Sequence, residues 1–246
     1  MRLRKNLKHS QNNQEKEVLV SIIIPAYNEE RYIDDVILRT LAVSFSLPYV
    51  RKEIIVVNDG STDTTNQHIL KFDNQIHYIA LTSNKGKGAA LRAGLNQALG
   101  DIILVQDADL EIDPSSQPAL ITPILEGRAD VVYGSRFLGV HNNTFISPSY
   151  YIANRFLTWL SNMFTGLHLS DMETSQKAFR REAIQSIQLH EDGFSFEPEV
   201  TIKLSRKGWR FHEVSVQYIG RSKKLGKKIS WLDGVRALIA IIRYGL

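Results

Sequence analysis

The sequence predicts an α/β fold, a mostly parallel sheet flanked by helices in a single domain. Three observations carry this. As far as residue 135, short β-branched runs alternate with helical patterns across brief connections, the signature of parallel strands joined by right-handed crossovers. The runs are almost wholly apolar, as strands covered on both faces are. Several of them end in Asn, Asp, Gly or Ser, which gathers polar groups at the carboxyl edge of the sheet, where open α/β sheets bind ligands.

The elements follow in order. Val18 to Ile24 is a buried strand stopped by Pro25, since proline donates no ladder hydrogen bond. Asn28-Glu29-Glu30 opens a helix to about Phe45, acidic in its first turn as the helix dipole prefers. Glu53 to Val57 is the second strand, Asn58-Asp59-Gly60-Ser61 its turn, and a short helix starts near Thr64. Ile76 to Leu81 is a strand, Gly88 to Leu99 a helix, Ile102 to Gln106 a strand, Pro118 to Leu125 a helix and Asp130 to Tyr133 a strand. Beyond Gly134 the pattern loosens into a polar loop from Asn142 to Pro148, an amphipathic helix from Tyr150 to Phe164, a possible strand from Gln176 to Phe179, a helix from Glu197 to Arg206 and a half-exposed strand from Trp209 to Tyr218. The domain expectation is a flexible arm over 1–17, one domain over 18–220 (a nucleotide-sugar half, 18–135, and an acceptor half, 136–220), and a basic loop with an amphipathic helix over 221–246.

Composition narrows the chemistry. The 246 residues contain no cysteine, so disulfides and thiolate metal sites are excluded and any metal takes oxygen or histidine ligands. The formal charge of +4 favours anionic partners. The amino-terminal residues lack the apolar core of a secretory signal, and no apolar run reaches the ~20 residues that span a bilayer.

Three strand ends carry marked residues: Pro25-Ala26-Tyr27-Asn28-Glu29, Asn58-Asp59-Gly60-Ser61 and Asp107-Ala108-Asp109-Leu110-Glu111. Each alone reads as a turn. Together, on one sheet edge, they predict a nucleotide pocket. Tyr27 is placed to pack on a base, and Glu29 and Asp59 to accept hydrogen bonds from base or ribose. Carboxylates crowded at one strand end call for a hard divalent ion. Asn84-Lys85-Gly86-Lys87-Gly88 precedes a helix and reads as an anion loop or a solvated one, with Lys85 as the donor-binding candidate. It is neither a Walker motif nor a dinucleotide fingerprint.

PAYNEE, VVNDGST, NKGKGAALRAG, DADLE and VVYGSRF, in that order, resemble the inverting family 2 glycosyltransferases of GT-A (Rossmann-like) fold. DADLE, GSRF, DMETSQKAFRRE and GRSKKLGKKI are most similar to the polyprenyl-phosphate sugar transferases, such as dolichyl-phosphate mannose or glucose synthase. The resemblance implies that Pro25, Tyr27 and Glu29 line the nucleotide pocket, with Val57 and Asp59 beside the base. It implies Asp107, Asp109 and Glu111 as the site of Mg²⁺ or Mn²⁺; Glu111 is a departure, since that position is often Gln in the lipid-phosphate synthases. Arg136 and Arg155 would hold the acceptor phosphate, and Arg221 the donor phosphates. Asp109, Arg136 and Glu197 are the catalytic candidates, Glu197 as a base near the slot where inverting relatives carry theirs.

The function so implied is transfer of a hexose from UDP-glucose or GDP-mannose to a polyprenyl (dolichyl or undecaprenyl) phosphate. The alternatives are a saccharide or other hydroxyl acceptor, or a non-catalytic nucleotide-binding module. The block Arg221-Ser222-Lys223-Lys224-Leu225-Gly226-Lys227-Lys228 precedes a Trp-bearing helix from Trp231 to Leu246. On it Asp233, Arg236, Ala240 and Arg243 form a polar stripe opposite Trp231, Val235, Leu238 and Ile242. Such a segment suits an anionic membrane surface or caps the sheet. The expected location is cytoplasmic, peripheral on the cytoplasmic face of a membrane. No nucleic-acid recognition motif accompanies the charge.

Overall fold

The computed structural model describes residues 17–45, 47–138, 147–220 and 231–246. The strands are β1 (Val18–Ala26), β2 (Val50–Asn58), β3 (His77–Ala80), β4 (Ile102–Val105), β5 (Val131–Ser135), β6 (Lys177–Arg180) and β7 (Phe211–Ser215). The helices are α1 (Ile33–Ala42), α2 (Thr65–Leu70), α3 (Lys87–Gln97), α4 (Gln117–Leu125), α5 (Pro148–Thr165), α6 (Arg181–Gln185), α7 (Phe196–Arg206) and α8 (Trp231–Gly245).

All seven strands form one sheet in the order β3-β2-β1-β4-β6-β5-β7. β6 runs antiparallel to both β4 and β5, and the other pairings are parallel. The two sequence halves therefore interleave: β6, from the second half, sits between two strands of the first. Its reversed direction has a consequence for the site. The segment entering β6, residues 171–176, arrives at the same edge at which β1, β2, β4 and β5 leave.

Both sheet faces are covered. Ile22 and Ile24 of β1 pack with Val56, Ile33, Ile37, Leu120 and Ile121 on the side of α1, α2 and α4. Ile23 faces the other way, with Ile55, Val57, Leu91, Phe196, Val200 and Ile241, under α3, α7 and α8. This alternation explains why the strands read as continuous apolar runs.

Both ends of the first helix differ from expectation. Asn28 has φ +49, and the Glu29 carbonyl accepts from the N–H groups of Tyr32 and Ile33, so a turn precedes α1. The helix ends at Ala42 rather than Phe45 because Lys52 of β2 donates to the Thr40, Leu41 and Val43 carbonyls at 2.8, 2.7 and 2.6 Å, satisfying the orphan acceptors there. α5 begins at Pro148 behind the Ser147 cap and stops at Gly166, φ +69, the proline-in, glycine-out arrangement. The loop expected over 142–148 lies largely outside the described residues.

α8 packs against the body of the protein, and its outward face stays apolar. Ala237, Ala240 and Ile241 are buried, packed toward α5 and α7. Ala240, expected on the polar stripe, is buried because a small side chain lets the helices approach. The opposite side keeps Leu232, Val235, Ile239 and Ile242 exposed. Among the described residues no helix is long and apolar enough to cross a membrane.

Candidate active site

A cleft of about 1490 Å³ opens at the carboxyl edge of the sheet. Pro25, Tyr27, Glu29, Asp59, Asp107, Asp109, Glu111, Arg136 and Glu197 all line it. The structure brings these nine sequence candidates to one cavity. Val57 does not reach it, being part of the core under α3. Lys85 does not line it either: its side chain is exposed, and its backbone N–H donates to Asp59 Oδ1 at 2.8 Å. Arg155 is exposed on α5 and donates to the Ser170 carbonyl at 3.1 Å; helix geometry turns it away, and its neighbour Asn154 faces the cleft instead. Arg221 lies outside the described residues.

The anion loop is built differently from the expectation. Asp59 is buried and accepts from Lys85 N, Gly86 N (2.8 Å) and Asn84 Nδ2 (3.1 Å). Burial raises the Asp59 pKa against the pull of these hydrogen bonds. Ala89 N donates to the Asp192 carbonyl at 3.1 Å. The N–H groups of Lys85, Gly86 and Ala89 are thus spent on protein acceptors. The glycines are required by packing. A Cβ on Gly86 (φ +102) would sit 2.4 Å from the Asp192 carbonyl oxygen, and one on Gly88 2.1 Å from that of Glu191. Close docking against 191–193 turns Lys87, not Lys85, into the cleft.

Lys87 is the lysine missed by sequence reasoning. Its Nζ lies 2.9 Å from Asp107 and 3.4 Å from Glu197. Burial opposes its charge, but Asp107 and Glu197 outweigh it and keep the ammonium protonated. Burial likewise pushes Asp107 upward, while Lys87 and the Ser175 hydroxyl bring it below the usual carboxylate range. Lys177, the first residue of β6, was also missed. It is fully buried, pairs with Glu197, donates to Met172 O at 3.1 Å and sits 4.4 Å from the centre of the Tyr133 ring. A lysine at the head of an antiparallel strand has no local signature. Glu197 therefore lies between two ammonium groups.

The acidic corner after β4 is braced from behind. Gln106 accepts from Gln117 and Gln176 at 3.0 and 2.9 Å and donates to the Ile112 carbonyl at 3.0 Å. Leu110 adopts φ +57, which for a residue with a branched side chain is held only by its surroundings. Glu111 N donates to Asp109 Oδ1 at 3.0 Å, and the Tyr218 hydroxyl donates to Glu111 Oε2 at 2.7 Å.

At the other end Arg136 follows β5. Its Nε and Nη2 donate to Asp171 at 2.7 and 2.8 Å, and its backbone N–H donates to the same carboxylate at 3.0 Å. Asp171 is fully buried. The guanidinium lies 5.4 to 6.0 Å from the ring centres of Tyr218, Phe137 and Tyr150, so its orientation is fixed by an ion pair and aromatic walls. Beyond it the cleft is walled by Phe156 and Leu157 of α5 and by Trp231, Val235 and Leu238 of α8.

The balance of charge bears on a metal. Glu29, Asp59, Asp107, Asp109, Glu111, Glu173, Glu197 and Asp233 line the cleft against Lys87 and Arg136. A cation bound at the Asp107–Asp109 corner would ease the approach of an anionic ligand. Among the described residues no three Asp, Glu or His side chains converge into a ready ligand cage, so the three-carboxylate metal set of Asp107, Asp109 and Glu111 is not assembled here; Glu111 is drawn to Tyr218 and Asp107 to Lys87. Oxygen donors still fit a hard cation, and Mg²⁺ is commonly held by one or two carboxylates together with substrate phosphates.

Comparison with known proteins follows this geometry. Residues 21–188 match the family described as Glycosyl transferase family 2. The chain is similar to undecaprenyl-phosphate 4-deoxy-4-formamido-L-arabinose transferase of Photorhabdus laumondii (33% identity over 193 residues, 76% of this chain and 57% of that protein). It is also similar to dodecaprenyl-phosphate galacturonate synthase of Rhizobium johnstonii (29%, covering 73% and 53%) and to a dolichyl-phosphate beta-glucosyltransferase of Trichomonas vaginalis (31%, covering 82% and 66%). The chain thus spans about half to two thirds of the length of these curated relatives. Among solved structures, glucosyl-3-phosphoglycerate synthase of Mycobacterium tuberculosis, crystallised with Mn²⁺, UDP and phosphoglyceric acid, superposes with a TM-score of 0.71 at 21% identity, over 93% of this chain and 78% of that one. At that identity the likeness is one of fold, a single α/β domain of GT-A type. The chain belongs to glycosyl transferase family 2.

Proposed function

We propose that this chain transfers a sugar from a nucleoside diphosphate sugar to a polyprenyl phosphate, on a membrane surface. One observation carries the acceptor assignment: the cleft that holds the carboxylate corner continues past Arg136 between two helices whose outward faces are apolar. On α5 the exposed residues Ile152, Phe156, Trp159 and Met163 recur at one-turn spacing, and on α8 Leu232, Val235, Ile239, Ile242 and Leu246 do the same. The helices pack together, with Phe164 against Gly245 at one end and the cleft mouth at the other. Two adjoining apolar stripes with exposed Trp159 and Trp231 suit the interfacial layer of a bilayer. The basic block 221–228 precedes α8 directly in sequence, which suits anionic lipids.

In this reading the nucleotide lies along Tyr27, Glu29 and Asp59. Asp109, with Asp107, would hold a Mg²⁺ or Mn²⁺ ion, which would supply positive charge for the leaving diphosphate. Lys87 adds a fixed ammonium beside Asp107. Arg136 draws in the acceptor phosphate, oriented by Asp171. A phosphate oxygen then forms a bond to the anomeric carbon. The bond from that carbon to the diphosphate breaks on the opposite face, its electron pair departing with the nucleoside diphosphate, and the configuration inverts. A phosphate monoester, with a second pKa near ~6, is already a dianion at neutral pH and needs no base. Glu197, braced by Lys87 and Lys177, serves as a strut linking the donor and acceptor ends.

A second reading, a hydroxyl acceptor, is supported by the two carboxylates Glu173 and Glu197 in the acceptor end, because a hydroxyl needs a base. One assay separates them. Labelled UDP-glucose and GDP-mannose are each incubated with Mg²⁺ or Mn²⁺ and either polyprenyl phosphate or soluble hydroxyl acceptors, including phosphoglyceric acid. Label entering the organic phase is expected. Label found only in soluble glycosides would replace the lipid reading with the second.

A further inference from the structure

Arg136 cannot grip a phosphate with its full fork. Nε and Nη2 are committed to Asp171, and Nη1 points toward the Tyr150 hydroxyl at 3.5 Å. A phosphoryl group at this end therefore needs a second hydrogen-bond donor from the wall of the cleft. The structure offers a group that has no other use.

Glu173 lies two residues beyond Asp171, on the segment that the antiparallel β6 brings to this edge, and it lines the cleft. Its Oε1 is buried and has no hydrogen-bond partner. An ionised carboxylate oxygen left so would be costly, whereas a protonated acid loses little. The groups around it are Glu197 and Asp171, which disfavour its charge, and Lys177 and Arg136, which favour it. Both cations are already paired, Lys177 with Glu197 and Arg136 with Asp171. The Tyr150 and Tyr133 hydroxyls also act on this site and stay neutral, burial raising both of their pKa values. Burial first, and then the Glu197 charge, push Glu173 up to about 8.

We propose that Glu173 is an acceptor-binding residue whose carboxylic acid donates a hydrogen bond to an oxygen of the phosphate monoester drawn in by Arg136. The inference rests on the phosphate-acceptor reading above and adds a selecting group to it. The acid keeps its proton, no bond is made or broken, and phosphate binding stabilises the protonated form. A phosphate dianion meets a donor there at neutral pH and a like charge once the proton is lost.

Two measurements on the full chain test this, with farnesyl phosphate as the probe. Its dissociation constant is measured at pH 7 and pH 9. Loss of a proton with a pKa of about 8 weakens binding about tenfold over that interval, and in Glu173→Gln the ratio falls to about one. Lys177, whose pKa burial lowers, is the competing source of an alkaline limb; the same tenfold loss in the glutamine variant would assign it there and overturn the proposal. The second measurement needs no variant to fold for its main result. Carboxyl-carbon NMR of the wild-type chain is expected to show a glutamate titrating near pH 8, with a midpoint that moves upward on adding farnesyl phosphate. No such carboxyl, a midpoint that the probe leaves in place, or no binding at either pH would each overturn it. Neither readout involves sugar transfer. A chain that binds the probe in this way but glycosylates only hydroxyl acceptors would uphold the role of Glu173 and sink the function proposed for the site.

Discussion

At the donor end of the cleft, Tyr27, Glu29, Asp59, Asp107 and Asp109 stand on turns that directly follow β1, β2 and β4. At the acceptor end, Arg136 follows β5, but its partners Asp171 and Glu173 arrive on the approach to an antiparallel strand, and its apolar walls come from α5 and α8. The first end is assembled from local turns on adjacent parallel strands, the second from segments distant in sequence. The difference shows in the chemistry. Among the described residues that line the first end, carboxylates outnumber cations. Acceptor-end charges are already matched inside the protein, Arg136 with Asp171 and Lys177 with Glu197.

That contrast is most easily broken at the donor end. If Asp109 anchors the ion that offsets the leaving diphosphate, Asp109→Asn is expected to lower kcat of sugar transfer by roughly 10³-fold, about 4 kcal/mol of transition-state stabilisation, with little change in unfolding midpoint. Chelation of divalent ions is expected to match it and added Mn²⁺ or Mg²⁺ to restore the wild type alone. Activity that survives chelation would remove the metal from the donor end.

Arg136→Ala probes the matched charges. Transfer should fall by roughly 10²-fold, and because Asp171 is left as a buried unpaired charge, stability should fall by about 3–5 kcal/mol in urea unfolding. Adding Asp171→Asn is expected to recover much of the stability and none of the transfer. Recovery of both would make the pair purely structural.

Serine at Ile152, Trp159 and Ile239, all more than half exposed, should reduce sedimentation with anionic vesicles by about tenfold or more while leaving the unfolding midpoint within a degree or two. Unchanged vesicle binding would detach the two helices from the membrane.

Glu173 gives the finest test. Its folded pKa of about 8 exceeds its ordinary 4.5, so its contribution to stability is complete below pH 4.5 and is lost as pH rises through 8. Glu173→Gln, with no such proton to lose, is expected to gain on the wild type across that window, by up to about 5 kcal/mol. A stability difference that does not vary with pH would mean that Glu173 is ionised in the folded chain.

The same contrast explains what could be read from the sequence. Strand-end motifs are local, so β1, β2 and β4 and their acidic turns were legible, as was Arg136 behind β5. Only the docking of Gly86 and Gly88 against residues 191–193 decides that Lys87, rather than Lys85, turns inward. Val57 and Arg155 were misplaced by facing: strand alternation sends Val57 into the core, and helical rotation sends Arg155 away from the cleft. Lys177 and the role of Glu197 as its partner depend on the reversal of β6, which no residue pattern announces.

In the proposed function one chamber joins a charged donor end to an apolar acceptor end. The direct measurement is kcat/KM for acceptors of rising tail length, from methyl phosphate through farnesyl phosphate to a long polyprenyl phosphate, at fixed nucleotide sugar. With ~0.8 kcal/mol for each buried methylene, kcat/KM is expected to rise by at least about a hundredfold from methyl to farnesyl phosphate, and serine at Phe156, Val235 and Leu238 should flatten the rise. Equal kcat/KM for tailless and prenylated phosphates would contradict the account.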